Sequence, residues 1–139
     1  MLDEFYLGID YGHKKTGLAI AQNIIKKSRP LKVLYNVYIL EINKVLDEWN
    51  ITKIIIGYPY HNKESKIHDD IKSFIEELKS VVSSSIEIIV HDEQLSSESA
   101  KASFAEMRNR GLIKKKNSDY DDISASIILQ SWINENIMD

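Results

Sequence analysis

The chain has 139 residues, 43% of them hydrophobic and 28% charged, with a formal net charge of -3. This length fits one domain over residues 1–139 with a core of ordinary size, and the acidic balance excludes a general polyanion binder. The absence of cysteine excludes disulfides, thiolate nucleophiles and zinc–thiolate centres.

The opening residues MLDEF lack the basic-then-apolar order of a secretory signal. No apolar run approaches the roughly 20 residues needed to cross a bilayer. A cytoplasmic protein without membrane attachment is expected.

Residues 5–10 and 16–22 read as two short strands joined by the loop YGHKK, whose glycine favours chain reversal. Residues 33–39, VLYNVYI, are β-branched and aromatic and predict a third strand. Three strands with short connections form an antiparallel meander. A short helix is expected over 41–49, then a buried strand KIIIG over 53–57. Ile67, Ile71, Phe74, Ile75, Leu78 and Val82 recur at helical spacing and predict an amphipathic helix. IEIIVH, 86–91, is a further buried strand. Ser96 or Ser97 can cap a helix running to about Arg110, and a last helix spans about 120–136.

The order βββαβαβα, with one extra helix near the end, predicts an α/β fold. Its five-stranded mixed sheet joins an antiparallel meander to βα crossovers, with helices on both faces. Such crossovers bring the carboxyl ends of the first, fourth and fifth strands to one rim, where open α/β sheets bind ligands.

Acids gather at that rim. Asp10 ends the first strand, Asp92 and Glu93 follow the last, and Asp121 lies in the first turn of the final helix. Taken singly, each has an ordinary explanation: a turn residue, or a favourable charge at a helix start. Asp92 and Glu93 point to opposite faces of an extended segment, so at most one faces the site. Converging carboxylates repel unless a cation lies between them, and oxygen ligands without cysteine favour Mg²⁺ or Mn²⁺. Such ions can activate water against a phosphodiester.

A basic segment complements the acids. Arg108, Arg110, Lys114, Lys115 and Lys116 place five positive charges and no acid within nine residues. A solvated helix end explains them equally well, but their closeness to Asp121 favours a loop gripping nucleic-acid backbone without sequence preference. Tyr58, Tyr60 and His61 follow a strand end and could stack on bases. The four histidines show no metal-ligand spacing.

GIDYGHKKTGLAIA (8–21), IIIGYP (54–59), HDEQLSS (91–97) and DDISASIILQSWI (121–133) together resemble the motif regions of the YqgF, or RuvX-like, family. Its members are called Holliday junction resolvases or pre-16S rRNA nucleases. The resemblance runs in order along nearly the whole chain and implies a ribonuclease H-like fold. It implies that Asp10, Glu93 and Asp121 are the catalytic, metal-holding acids, with Mg²⁺ or Mn²⁺ as cofactor and Asp92 as the preceding acid. It also implies cleavage of structured RNA during 5′-end maturation of 16S rRNA. Four positions depart from the family pattern: Gln94 replaces the usual arginine, removing a bidentate phosphate donor, Lys15 stands at the loop arginine, and Tyr58 and Tyr60 flank Pro59 where smaller aliphatics are common.

On this reading Gly12 and Gly17 allow close approach of backbone to phosphate, while Lys14 and Lys15 hold the nucleic acid beside the metal. The alternatives are a Holliday junction resolvase on branched DNA, which requires a homodimer rather than a monomer, and a nucleic-acid-binding module with weak catalysis. An actin-like ATPase shares the DxGxxxxG spacing but needs a second lobe that 139 residues do not provide.

Overall fold

A computed structural model of the chain describes residues 3–36, 39–60, 63–92, 105, 106, 109 and 120–137. Its five-stranded sheet is built from β1 (Phe5–Asp10), β2 (Lys15–Gln22), β3 (Ser28–Tyr35), β4 (Ile51–Tyr58) and β5 (Glu87–Asp92). The helices are α1 (Ile39–Glu48), α2 (Lys66–Val81) and α3 (Tyr120–Asn136). Strand order is β3-β2-β1-β4-β5. β1, β2 and β3 pair antiparallel, while β4 is parallel to β1 and β5 to β4. The mixed sheet expected from the sequence is the one observed.

Side-chain alternation along β1 sorts the molecule into two cores. Leu7 and Ile9 join Leu18, Ile20, Ile54 and Ile56 beneath α1 and α2, which contribute Ile42, Val45, Ile71, Phe74 and Leu78. Tyr6 points to the other face, where Ala19, Ala21 and Ile55 meet Ala125, Ile128, Leu129, Trp132 and Ile133 of α3. Helices therefore cover both faces, as the crossover pattern predicts.

On the α3 face the backbone of β1 approaches the helix unusually closely. A Cβ on Gly8 would lie 2.8 Å from Leu129 Cβ and 2.9 Å from the Ala125 carbonyl oxygen. Further along, Trp132 meets Tyr6 edge-on at 5.6 Å between centroids. Helix α3 thus runs opposite to β1, and its first turn lies toward the carboxyl end of that strand.

The third strand differs from expectation. It occupies Ser28–Tyr35 rather than 33–39, and Ile39 already begins α1. Pro30 argues against a strand in the sheet interior, but β3 is an edge strand and Pro30 sits beside a register shift opposite Leu18/Ala19. Asn36, with φ 57°, turns the chain out of the strand. Ser28 is buried and donates its hydroxyl to the Ser126 carbonyl at 2.6 Å. The Ser28 N–H donates to Gln130 Oε1 at 2.9 Å, tying β3 to α3.

The helix expected between 96 and 110 falls on residues mostly outside those described, of which 105, 106 and 109 are helical. Among the described residues no helix is long and apolar enough to cross a membrane.

Candidate active site

Asp10 closes β1 opposite Gly17 of β2, so its backbone is held by the ladder rather than by a loop. Alternation places it with Tyr6 and Gly8 on the α3 face, at the end of the sheet toward which the first turn of α3 points. The carboxylate is half-buried.

The loop leaving Asp10 is tightly determined. A Cβ on Gly12 would come within 2.4 Å of the Lys15 carbonyl oxygen, so only glycine fits there. The Gly12 N–H donates to Thr16 Oγ1 at 3.3 Å, and Thr16 is fully buried. His13 pairs through Nε2 with a carboxylate oxygen of Asp70, which ties the loop to the first turns of α2. At the loop's far end Lys15 pairs across strands with Tyr35. The Asn36 N–H donates to the Lys14 carbonyl at 3.1 Å, so the end of β3 is fastened to the same loop.

Asp92 is the last residue of β5, not the first residue beyond it, and pairs with Tyr58. Tyr58 packs into the core under α1 and α2, so Asp92 lies on that face and Asp10 on the other. His91, its neighbour, points toward α3 and meets Ser131 Oγ at 3.1 Å. Tyr58 is buried against His68 at 5.4 Å between centroids, and Tyr60 leans on Tyr58 at 4.6 Å with the rings inclined by 52°. His68 in turn donates from Nε2 to the Pro59 carbonyl at 2.9 Å and accepts the Ser65 N–H at Nδ1.

A cleft of about 170 Å³ opens on the α1/α2 side, lined by Tyr11, Ile39, Asp70, Ser73, Phe74 and Glu77. Burial, then the charges of Asp70 and Glu77, raise the Tyr11 phenol above its ordinary value. Its ring leans on Phe74 at 4.9 Å, so Tyr11 serves the packing of this face.

Glu93, Arg108, Arg110, Lys114, Lys115 and Lys116 lie outside the described residues, and of Asp121 only its place in α3 is described. Among the described residues no three metal-capable side chains converge. The donor types at the rim can still be compared with a metal's needs. The histidines His13, His68 and His91 are engaged with Asp70, with Pro59 and Ser65, and with Ser131. Asp10 itself offers carboxylate oxygen, a donor type that suits a hard divalent cation. The sequence carried no sign of the His13–Asp70 pair, because 57 residues separate the partners. Tyr35 was hidden for another reason: strand placement over 33–39 put it in mid-strand, whereas it stands at the rim.

Solved structures place the fold in a class. *T. thermophilus* RuvC in complex with Holliday junction substrate matches with TM-score 0.72 at 11% identity, covering 96% of both chains. The Fowlpox virus resolvase with its Holliday junction DNA matches with TM-score 0.62 at 15% identity, covering 96% of this chain and 99% of that one. The fold is therefore that of the RuvC-type, ribonuclease H-like proteins. Sequence comparison narrows the assignment: residues 4–135 match the model of the RuvX family, described as Holliday junction resolvase. The chain belongs to the RuvX family. Two relatives named "Putative pre-16S rRNA nuclease" agree with this. The one from *Buchnera aphidicola* subsp. *Baizongia pistaciae* is 33% identical, over 91% of this chain and 93% of its own length. The one from *Mycoplasma mobile* is 37% identical, over 92% and 90% respectively.

Proposed function

We propose that this chain is a divalent-metal-dependent nuclease of the cytoplasm. Its substrate would be structured RNA, the 5′ leader of precursor 16S rRNA, and its acidic centre Asp10, Glu93 and Asp121. The observation that supports this reading most directly is the position of Asp10. It is a carboxylate on a strand end paired with β2, facing the side covered by α3, beside a glycine-determined loop carrying two lysines. The names borne by the family and by its relatives supply the reaction class and the RNA.

Hydrolysis adds the oxygen of water to phosphorus and returns a proton to the departing oxygen. Mg²⁺ or Mn²⁺, held by Asp10 with Glu93 and Asp121, would supply the charge that activates the water and stabilises the leaving oxygen. The chain's own residues position the substrate. Lys14 and Lys15 bind phosphate oxygens next to Asp10, and the loop's attachments to α2 and β3 hold them in place. Arg108, Arg110, Lys114, Lys115 and Lys116 extend the grip along the backbone.

The test is cleavage of an RNA bearing the 16S 5′ leader in the presence and absence of Mg²⁺ or Mn²⁺. Asp10→Asn keeps the side chain's size and is expected to lower the rate by about 10²–10³-fold, with an unchanged thermal midpoint. Equal cleavage by Asp10→Asn would assign the activity to a contaminant and leave a binding module. The family description favours a second reading, resolution of branched DNA. Paired symmetric nicks in a four-way junction, made by a stable homodimer, would establish it.

A further inference from the structure

Among the phenylalanine, tyrosine and tryptophan side chains that the structure describes, all but one pack against another ring. The exception is Tyr35, 65% exposed at the end of β3. Its neighbour Leu34 faces the α1/α2 core, so alternation turns Tyr35 to the opposite face, which is the face of Asp10. Asp10, Gly17 and Val33 form one row across β1, β2 and β3, and Lys15 and Tyr35 form the next row outward. Two strand spacings and two residue rises separate Asp10 from Tyr35, about 12 Å between their backbones. That is the span of about one or two nucleotides of an extended strand.

The ring's base is rigid. Tyr35 is the last ladder residue of β3, and the following Asn36 turns at φ 57° and bonds the Lys14 carbonyl. Exposing an aromatic ring on a fixed strand end forgoes its burial. A partner with a flat apolar face and a charged backbone suits the site, because Lys14 and Lys15 lie alongside.

We propose that Tyr35 is the stacking platform for an unpaired nucleobase one or two nucleotides from the phosphate held at Asp10. The substrate is then single-stranded at the point of cleavage. This rests on the nuclease reading above and adds the state of the substrate strand to it. A continuous duplex keeps its bases stacked on each other and offers none to the ring.

The test uses the full chain in metal-free buffer with EDTA. The probes are short single-stranded RNAs and DNAs carrying 2-aminopurine at successive positions, with matched duplexes. The wild-type chain is expected to bind single strands more tightly than duplex and to quench the fluorophore at a subset of positions. Tyr35→Ala and Tyr35→Leu are expected to lose about tenfold in affinity for RNA and DNA strands alike, together with the quench, while Tyr35→Trp retains both. The exposed position leaves the thermal midpoint unchanged in all three variants. Full affinity and quench in Tyr35→Leu overturn the stacking role while leaving the nuclease reading standing, provided wild-type cleavage is intact. Absence of wild-type binding and of cleavage overturns both.

Discussion

His91 lies on the last strand with its ring 7% exposed, its Nε2 against Ser131 and the Glu135 carboxylate 3.6 Å away. Burial lowers its pKa, and the charges of Glu135 and Asp92 oppose that shift without reversing it. The unfolded chain, with a histidine near the ordinary value of about 6.5, takes up its proton before the folded chain does. The contribution is therefore fully present above about pH 6.5 and is lost as pH falls from there toward the lower folded value. His91→Gln keeps a donor for Ser131 and removes the titration. Urea midpoints measured from pH 8 to pH 5 should show the wild-type chain declining more steeply than His91→Gln on the acid side. Parallel profiles would mean that His91 titrates alike in both states.

At the scale of elements, the fit between β1 and α3 determines where the last helix lies, and Gly8 is its closest point. Gly8→Ala must push a methyl group into the Leu129 side chain and the Ala125 carbonyl. A cost of about 1–3 kcal/mol is expected, read as a lower urea midpoint at unchanged slope. Leu129→Ala does not rescue it, because the carbonyl remains in the way. The packing of α3 was legible in outline, since Ile123, Ala125, Ile127, Ile128, Leu129 and Trp132 surround most of the helix, and all of them but the half-buried Ile127 are buried. The role of Gly8 was not legible. Hydrophobic periodicity records which faces are apolar and carries nothing about how near two backbones come. Ser126 and Ser131 illustrate the same gap: both are buried, although a serine in an apolar helix reads as a surface residue.

For the whole molecule, strand number, strand direction and the helices on both faces could be read from apolar runs of the right length and from connection lengths. The third strand could not be placed, because Pro30 is tolerated only on account of the edge position of β3, and edge position is a property of the assembled sheet. The place of Asp10 at the carboxyl end of β1 was legible because it closes an obvious strand. The opposite facing of Asp92 required the register of β5 against β4. The central location of β1 also has a bearing on time. The first-made strand finds β2 within a few residues, yet its other edge pairs with residues 51–56, and its α3-side face is covered by residues near 125–132. Loop closure makes the near pairing fast and the distant ones slow. Pulse-labelled hydrogen exchange during refolding should protect the β1–β2 amides before those linking β1 to β4, with simultaneous protection counting against this order. On this order the strand that ends in Asp10 is in place early, and α3 closes over its face last.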